Sequence, residues 1–286
     1  LAGSASAAND ALAGISGYSG AITLDDTSLA ATVLNAVDAK TSGEVDASSI
    51  STLTGAAAQM NTAYTANGTD QMTGLGNEVA TINDTNLAAT VLNTLNTNTG
   101  GNVNVASITG NLTGNASDLV TSMTAAGIIN RGGLNVSVSN NHNLAQLKSI
   151  NDATTGTITL SNSGQALAGS ASAANDALAG ISGYTGGVTL DDTGVLAVAT
   201  LNTLDGRTSG TINANSISGL SGQAAALKTA FESSEISNIG DVTVSVSNNH
   251  NLAQLKAIND ATTGAITLSN AGQALSGSAS AANDAL

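Results

Sequence analysis

The chain has 286 residues, with 6 Lys and Arg against 20 Asp and Glu, a formal net charge of −14, and no Cys, Pro or Trp. The lack of cysteine rules out disulfides, thiolate metal sites and a cysteine nucleophile, and the lack of a basic stripe argues against a nucleic-acid partner. No apolar run reaches the ~18 residues of a membrane span, and residues 1–20 have neither the charged start nor the apolar centre of a signal peptide.

Only Tyr18, Tyr64, Tyr184 and Phe231 are aromatic, while the apolar fraction is 41%. That is enough to fold, but the core must be thin and layered, built from many small parts. In chain order, short runs alternate apolar and polar residues: AITL at 21–24, EVDA at 44–47, ATIN at 80–83, NVNV at 102–105 and NVSV at 135–138. TITL at 157–160, GVTL at 187–190, TINA at 211–214, TVSV at 243–246 and AITL at 265–268 continue the series. Each has the period-two pattern of a half-buried strand.

Between them lie LAATVLNAVDAK (29–40), LAATVLNTLN (87–96), NLAQLKSI (143–150) and LAVATLNTL (196–204). Leu29, Val33, Leu34 and Val37 share one helical face. Asp, Asn, Ser or Thr before each segment predicts an N-cap, and TSG, NTG or TTG after it predicts a glycine exit in the left-handed region.

Longer repeats frame these units. Residues 136–178 return at 244–286 with 39 of 43 unchanged, an offset of 108, and LAGSASAANDALAGISGY at 1–18 returns unaltered at 167–184, an offset of 166. LSGSASAANDAL at 275–286 repeats the opening once more, as expected of an interior helix in a periodic array. Aligning Ile22, Val45, Ala80, Val103, Val136, Ile158, Val188, Ile212, Val244 and Ile266 gives steps that alternate between 22–24 and 30–35 residues.

The fold expected is an α/β right-handed solenoid of about ten strand-helix coils, alternately short and long, with one parallel sheet backed by helices. Residues 1–286 are expected to form a single continuous repeat array, open at both ends: a window of a longer array or a subunit that stacks end to end. Strands stack about 4.8 Å apart and helices 8–10 Å apart, and two helix layers, inner for short coils and outer for long ones, would reconcile the two spacings. Thr23, Asp46, Thr81, Asn104, Ser137, Thr159, Thr189, Asn213, Ser245 and Thr267 would form one outward polar column.

An acid or amide pair recurs after every second strand: Asp25 and Asp26, Asn83 and Asp84, Asn140 and Asn141, Asp191 and Asp192, Asn248 and Asn249. Such pairs form turns and cap helices. Stacked carboxylates also suit calcium, which makes Asp25, Asp26, Asn83, Asp84, Asp191 and Asp192 the candidate metal ligands, although neither an EF-hand loop nor a GGxGxDxUx nonapeptide is present. His142 and His250 share one repeat position and read as surface or capping residues. Lys148 and Lys256 precede Asp152 and Asp260 by four residues, as exposed helix pairs do. No G-x-S-x-G elbow, Walker loop, H-E-x-x-H or dinucleotide glycine pattern occurs, so no catalytic residue is expected.

Runs such as TGTITLSNSGQALAGSASAANDALAGISGYTGGVTLDD resemble the strand-helix repeat arrays of very large secreted bacterial surface proteins, marine cyanobacterial ones among them, of hemolysin-type or adhesin-like character. The resemblance covers essentially the whole chain and rests on composition and repeat rhythm. It implies an extracellular or cell-surface location and a structural role. The function expected is a non-enzymatic fibre, filament or surface layer whose partners are copies of itself, end to end and laterally. The competing expectation is a spacer or stalk of a large adhesin, stabilised by calcium.

Overall fold

A computed structural model describes residues 1–69 and 71–285. Leu286, with which the second long repeat closes, lies outside the described residues. Contacts group the chain into two compact units, Leu1–Asn140 with Asp152–Ile158, and Asn141–Asn151 with Thr159–Leu286.

Among the described residues there are eleven helices: α1 (Ala5–Ala11), α2 (Ala31–Asp38), α3 (Ala57–Asn67), α4 (Ala89–Asn98), α5 (Ala116–Thr124), α6 (Leu144–Ala153), α7 (Ala171–Leu178), α8 (Val198–Asp205), α9 (Ala224–Glu232), α10 (Leu252–Ala261) and α11 (Ala279–Ala285). Short parallel strands lie between them, commonly two per connection. The second strand, such as Thr52–Gly55, Asn111–Gly114 or Gly219–Gly222, stands directly before its helix. Leu29 belongs to the strand Ser28–Ala30 and not to the helical face assigned to it from sequence. Gly55 and Gly222 end their strands at φ 130° and 154°, where the chain turns sharply into α3 and α9.

Among the described residues, five sheets stand where one was expected. In the first unit, one ladder runs through Ser28–Ala30, Thr52–Gly55, Val79–Ile82, Val103–Asn104 and Ile128–Ile129. Its first two strands precede helices and its last two follow them. Leu29, Leu53, Ala80 and Val103 align along it over 74 residues, whereas the corresponding helix starts, Ala31 to Ala116, span 85. The ladder therefore slips backwards against the helices until it ends and another opens. The polar column is split in the same way, with Thr23, Asp46 and Thr73 on one ladder and Thr54, Thr81 and Asn104 on another.

The alternation of coil lengths also dissolves. Val45 pairs with Met72, not Ala80, and Ala80 pairs with Leu53. The expected long steps had joined strands of different ladders, and true partners lie 21–27 residues apart throughout. Helices pack in sequence order, α1 to α5 in the first unit and α7 to α11 in the second, which is one layer and not two. The layer is possible because the packed positions are small. Ala31, Ala57, Ala89 and Ala116 open their helices fully buried, as do Ala171 and Ala224. Val45, Leu53, Leu112, Leu220 and Val246 fill the inner side of the strands, also without exposure.

Candidate functional site

The polar side chains singled out from sequence meet at the junctions between coils. In each odd-numbered helix from α1 to α9, the first N–H is bonded by an Asx side chain from the following connection. Ala5 donates to Asp26 Oδ2 at 2.7 Å, Ala57 to Asp84 Oδ2 at 2.8 Å and Ala116 to Asn140 Oδ1 at 2.9 Å. Ala171 donates to Asp192 Oδ2 at 2.7 Å and Ala224 to Asn248 Oδ1 at 2.8 Å. Parallel register sets this up: Gly3 lies opposite Leu24, so Ala5, two residues on, lies opposite Asp26. The acceptor satisfies an N–H that no intrahelical carbonyl can reach and places negative or partly negative charge at the positive end of the helix dipole.

The alternate connections carry a different device. After each even-numbered helix, Thr41, Thr99, Thr154, Thr208 and Thr262 donate their hydroxyls to the carbonyls of Gly20, Glu78, Leu134, Gly186 and Val242 in the preceding coil, at 2.7–2.8 Å. The same oxygens accept the N–H of Gly43, Gly101, Gly156, Gly210 and Gly264 at 2.9–3.0 Å. These glycines are not in the left-handed region, contrary to expectation. They are needed for close approach: a Cβ on Gly101 would overlap the carbonyl of Glu78, and one on Gly264 that of Val242. The ten connections between the eleven helices thus alternate, Asx cap and Thr clamp.

Asparagines tie the helices themselves. Asn35, Asn61 and Asn93 donate from Nδ2 to the carbonyls of Gln59, Val91 and Asp118 on the next helix, at 2.9, 3.1 and 3.0 Å. Asn151, Asn175 and Asn202 do the same to Asp176, Thr200 and Ala226, at 3.2, 2.9 and 2.9 Å. Nothing in the helical periodicity distinguishes these residues from exposed polar ones. Their recurrence near the middle of successive segments is the signal that could have revealed them.

Other expectations need correction. His142 and His250 are each 4% exposed, not surface residues. Their backbones are gripped by a glutamine of the next coil: Gln165 accepts the His142 N–H at 2.9 Å and donates to its carbonyl at 2.5 Å, and Gln273 repeats this at His250. A side-chain N-cap is present at Ser4, Asn115, Ser170 and Asn251, but Ala30, Ala56, Ala88 and Ala197 hold the same place without one. Lys256 does reach Asp260, at 2.7 Å.

Glu78, only 2% exposed, was not singled out from sequence. Its carboxylate accepts the Tyr64 hydroxyl at 2.8 Å and the Gly76 N–H at 2.9–3.0 Å. Burial, aided by this neighbouring carboxylate, drives the Tyr64 phenol upward. Tyr184, 2% exposed, bonds the Gln165 carbonyl at 2.5 Å, and burial pushes its phenol up to about 12.

The candidate metal ligands do not converge. Asp26, Asp84 and Asp192 each spend an oxygen on a helix N–H, and Asp25, Asn83 and Asp191 are exposed beside them. Among the described residues, no three Asp, Glu or His side chains lie where they could share an ion. In the second unit a concavity of about 570 Å³ is lined by residues that include Asn143, Leu144, Lys148, Ser170 and Asp191. Lys148 there stands 3.9 Å from Asp176, an exposed pair. Among the described residues, no helix is long and apolar enough to cross a membrane. Comparison with family models, with curated proteins and with solved structures returns no match.

Proposed function

We propose that the chain is a non-enzymatic structural array whose coils wind as a right-handed α/β solenoid and extend a fibre, filament or surface layer outside the cell. The observation that carries this reading is the Asx cap. The acceptor for Ala5, Ala57, Ala116, Ala171 and Ala224 always comes from the next coil, so every second coil is completed by the one after it and the same need returns two coils on. The polar groups of alternate connections are committed to neighbouring coils in a manner that suits mechanical continuity and leaves no convergent set for acid-base or nucleophilic work. Small, tied helices and short ladders allow length to grow without new chemistry.

Electron microscopy of native, cell-derived material, in calcium-containing buffer and after chelation, tests the reading. Long uniform filaments are the expected result. Short rods of one length with a distinct tip would instead make the array the stalk of an adhesin, and disassembly on chelation would assign the cation a role that the described carboxylates do not indicate.

A further inference from the structure

Two ladders turn an uncharged side away from the core. In the first unit, residues such as Leu53 and Ala80 are buried under their ladder, so their neighbours in sequence stand on its other side. Register sets these neighbours in two columns, Ala30, Thr54, Thr81, Asn104 and Ile129 in one and Ser28, Thr52 and Val79 in the other. All of them are exposed or half-buried. The second unit has the same arrangement within itself, with Ala197, Ser221 and Ser245 in one column and Val195 and Thr243 in the other.

No Asp, Glu, Lys or Arg stands in these columns, although the chain carries a net charge of −14. The helix layer does carry acids, Asp10, Asp38 and Asp118 in the first unit and Asp176, Asp205 and Glu232 in the second. Two copies therefore repel helix to helix and meet at least cost sheet to sheet. Val79 and Val195, 38% and 60% exposed, put large apolar groups on these sides. Thr54 and Thr243 spend their hydroxyls on the Leu29 and Ser218 carbonyls of the preceding coil and so ask little of water. A ladder whose strands lie about 4.8 Å apart is matched row for row by another of the same pitch, which a second copy supplies.

We propose that the sheet side is the surface by which copies of this chain pair laterally, each ladder facing the same ladder of a second copy about a twofold axis. The inference rests on the structural reading above and names the contact between neighbouring arrays. Five strands of up to four residues cover at most about 250 Å², whereas a stable complex buries about 800 Å² per partner. One ladder pairs weakly, and a long array pairs well because the contact recurs along it.

The absence of cysteine gives a clean test. Thr81→Cys puts a thiol on the third of five strands, at the centre of the first unit's face, and Ala58→Cys puts one on the exposed side of α3 as comparator. Each chain is treated with a short bismaleimide near millimolar protein. The expected result is homodimer from Thr81→Cys at least about tenfold above that from Ala58→Cys, falling at least about tenfold when Val79→Glu is added, because like charges then face each other. Equal cross-linking at both positions, none at Thr81→Cys, or no loss with Val79→Glu overturns the pairing. Should Val79→Glu fail to fold, as circular dichroism would show, Thr52→Glu in the same column takes its place. Coil stacking within one chain is judged separately: if Asp84→Ala destabilises the chain while Thr81→Cys yields no homodimer, only the lateral contact has failed.

Discussion

Asp84 caps a helix that began 27 residues before it: its Oδ2 accepts the Ala57 N–H at 2.8 Å, across the boundary between two coils. Asp84→Ala removes the acceptor and leaves the N–H of a buried residue unpaired, and should cost about 1 kcal/mol. Asp84→Asn should cost a few tenths of that, because Asn140 and Asn248 already do this work at equivalent positions. Urea unfolding midpoints of the three chains check the order.

Gly101 and Gly132 separate two kinds of glycine. A Cβ at Gly101 meets the Glu78 backbone, while a Cβ at Gly132 meets nothing within 4 Å. Gly101→Ala should therefore destabilise by about 1–3 kcal/mol, with backbone shifts at the Thr99 clamp, and Gly132→Ala should be neutral within about 0.5 kcal/mol. Thermal melts of both variants suffice, and equal melts would remove close approach as the reason for the Thr-x-Gly spacing.

Asn93 and Asn202 occupy equivalent places on α4 and α8 but are not equally satisfied. Asn93 donates to the Asp118 carbonyl and accepts the Ser122 hydroxyl at 2.6 Å, whereas Asn202 donates to Ala226 and has a buried Oδ1 without a partner. Truncation of Asn93 loses two hydrogen bonds, although Ser122 still reaches the Ala89 and Asp118 carbonyls, while truncation of Asn202 loses one and removes an unsatisfied oxygen. Asn93→Ala should thus cost about 1–2 kcal/mol more than Asn202→Ala, as measured by equilibrium denaturation.

Alkaline pH should loosen the fold through its tyrosines. The Tyr184 phenol is held by burial at about 12, up from 10.0, and Tyr64 is raised as well. Below about pH 10 folded and unfolded chains both keep the proton; between about 10 and 12 only the unfolded chain loses it, so stability falls as pH rises through that window. Tyr184→Phe should flatten the dependence above pH 10. An unchanged slope in denaturation series from pH 9 to about 12 would show that Tyr184 does not carry it.

One strand of each connection was legible, because Ile22, Val45 and Val188 alternate cleanly with polar neighbours; in the connections before α4, α6 and α10 it was not the first one but ATIN, NVSV and TVSV. Its companions were not: TLTG and GLSG are short and rich in turn formers, so their local preference argues for a loop, and only pairing such as Leu53 with Ala80 makes them strands. Helix α3 was hidden by Ala and Thr in place of a strong apolar stripe, whereas α5 and α9 went unread although Leu119 with Met123, and Leu227 with Ala230, lie at helical spacing. The capping role of Asp26 and Asp192 was readable, but not its target. A side chain reads as serving its own turn until register shows which coil lies opposite. Glu78 escaped because its partner Tyr64 is 14 residues away and nothing local marks the carboxylate as buried.

The strict alternation of Asx cap and Thr clamp gives the chain a parity. A single coil inserted or lost would set a clamp where the neighbouring helix needs a cap, and would leave a glycine-dependent contact facing a side chain. Genetic duplication should therefore add or remove coils in twos. The two long offsets obey this: 108 residues carry α6 onto α10 and 166 carry α1 onto α7, four coils and six. Unequal crossing-over in such a gene would be filtered by hydrogen bonding before any selection on length could act.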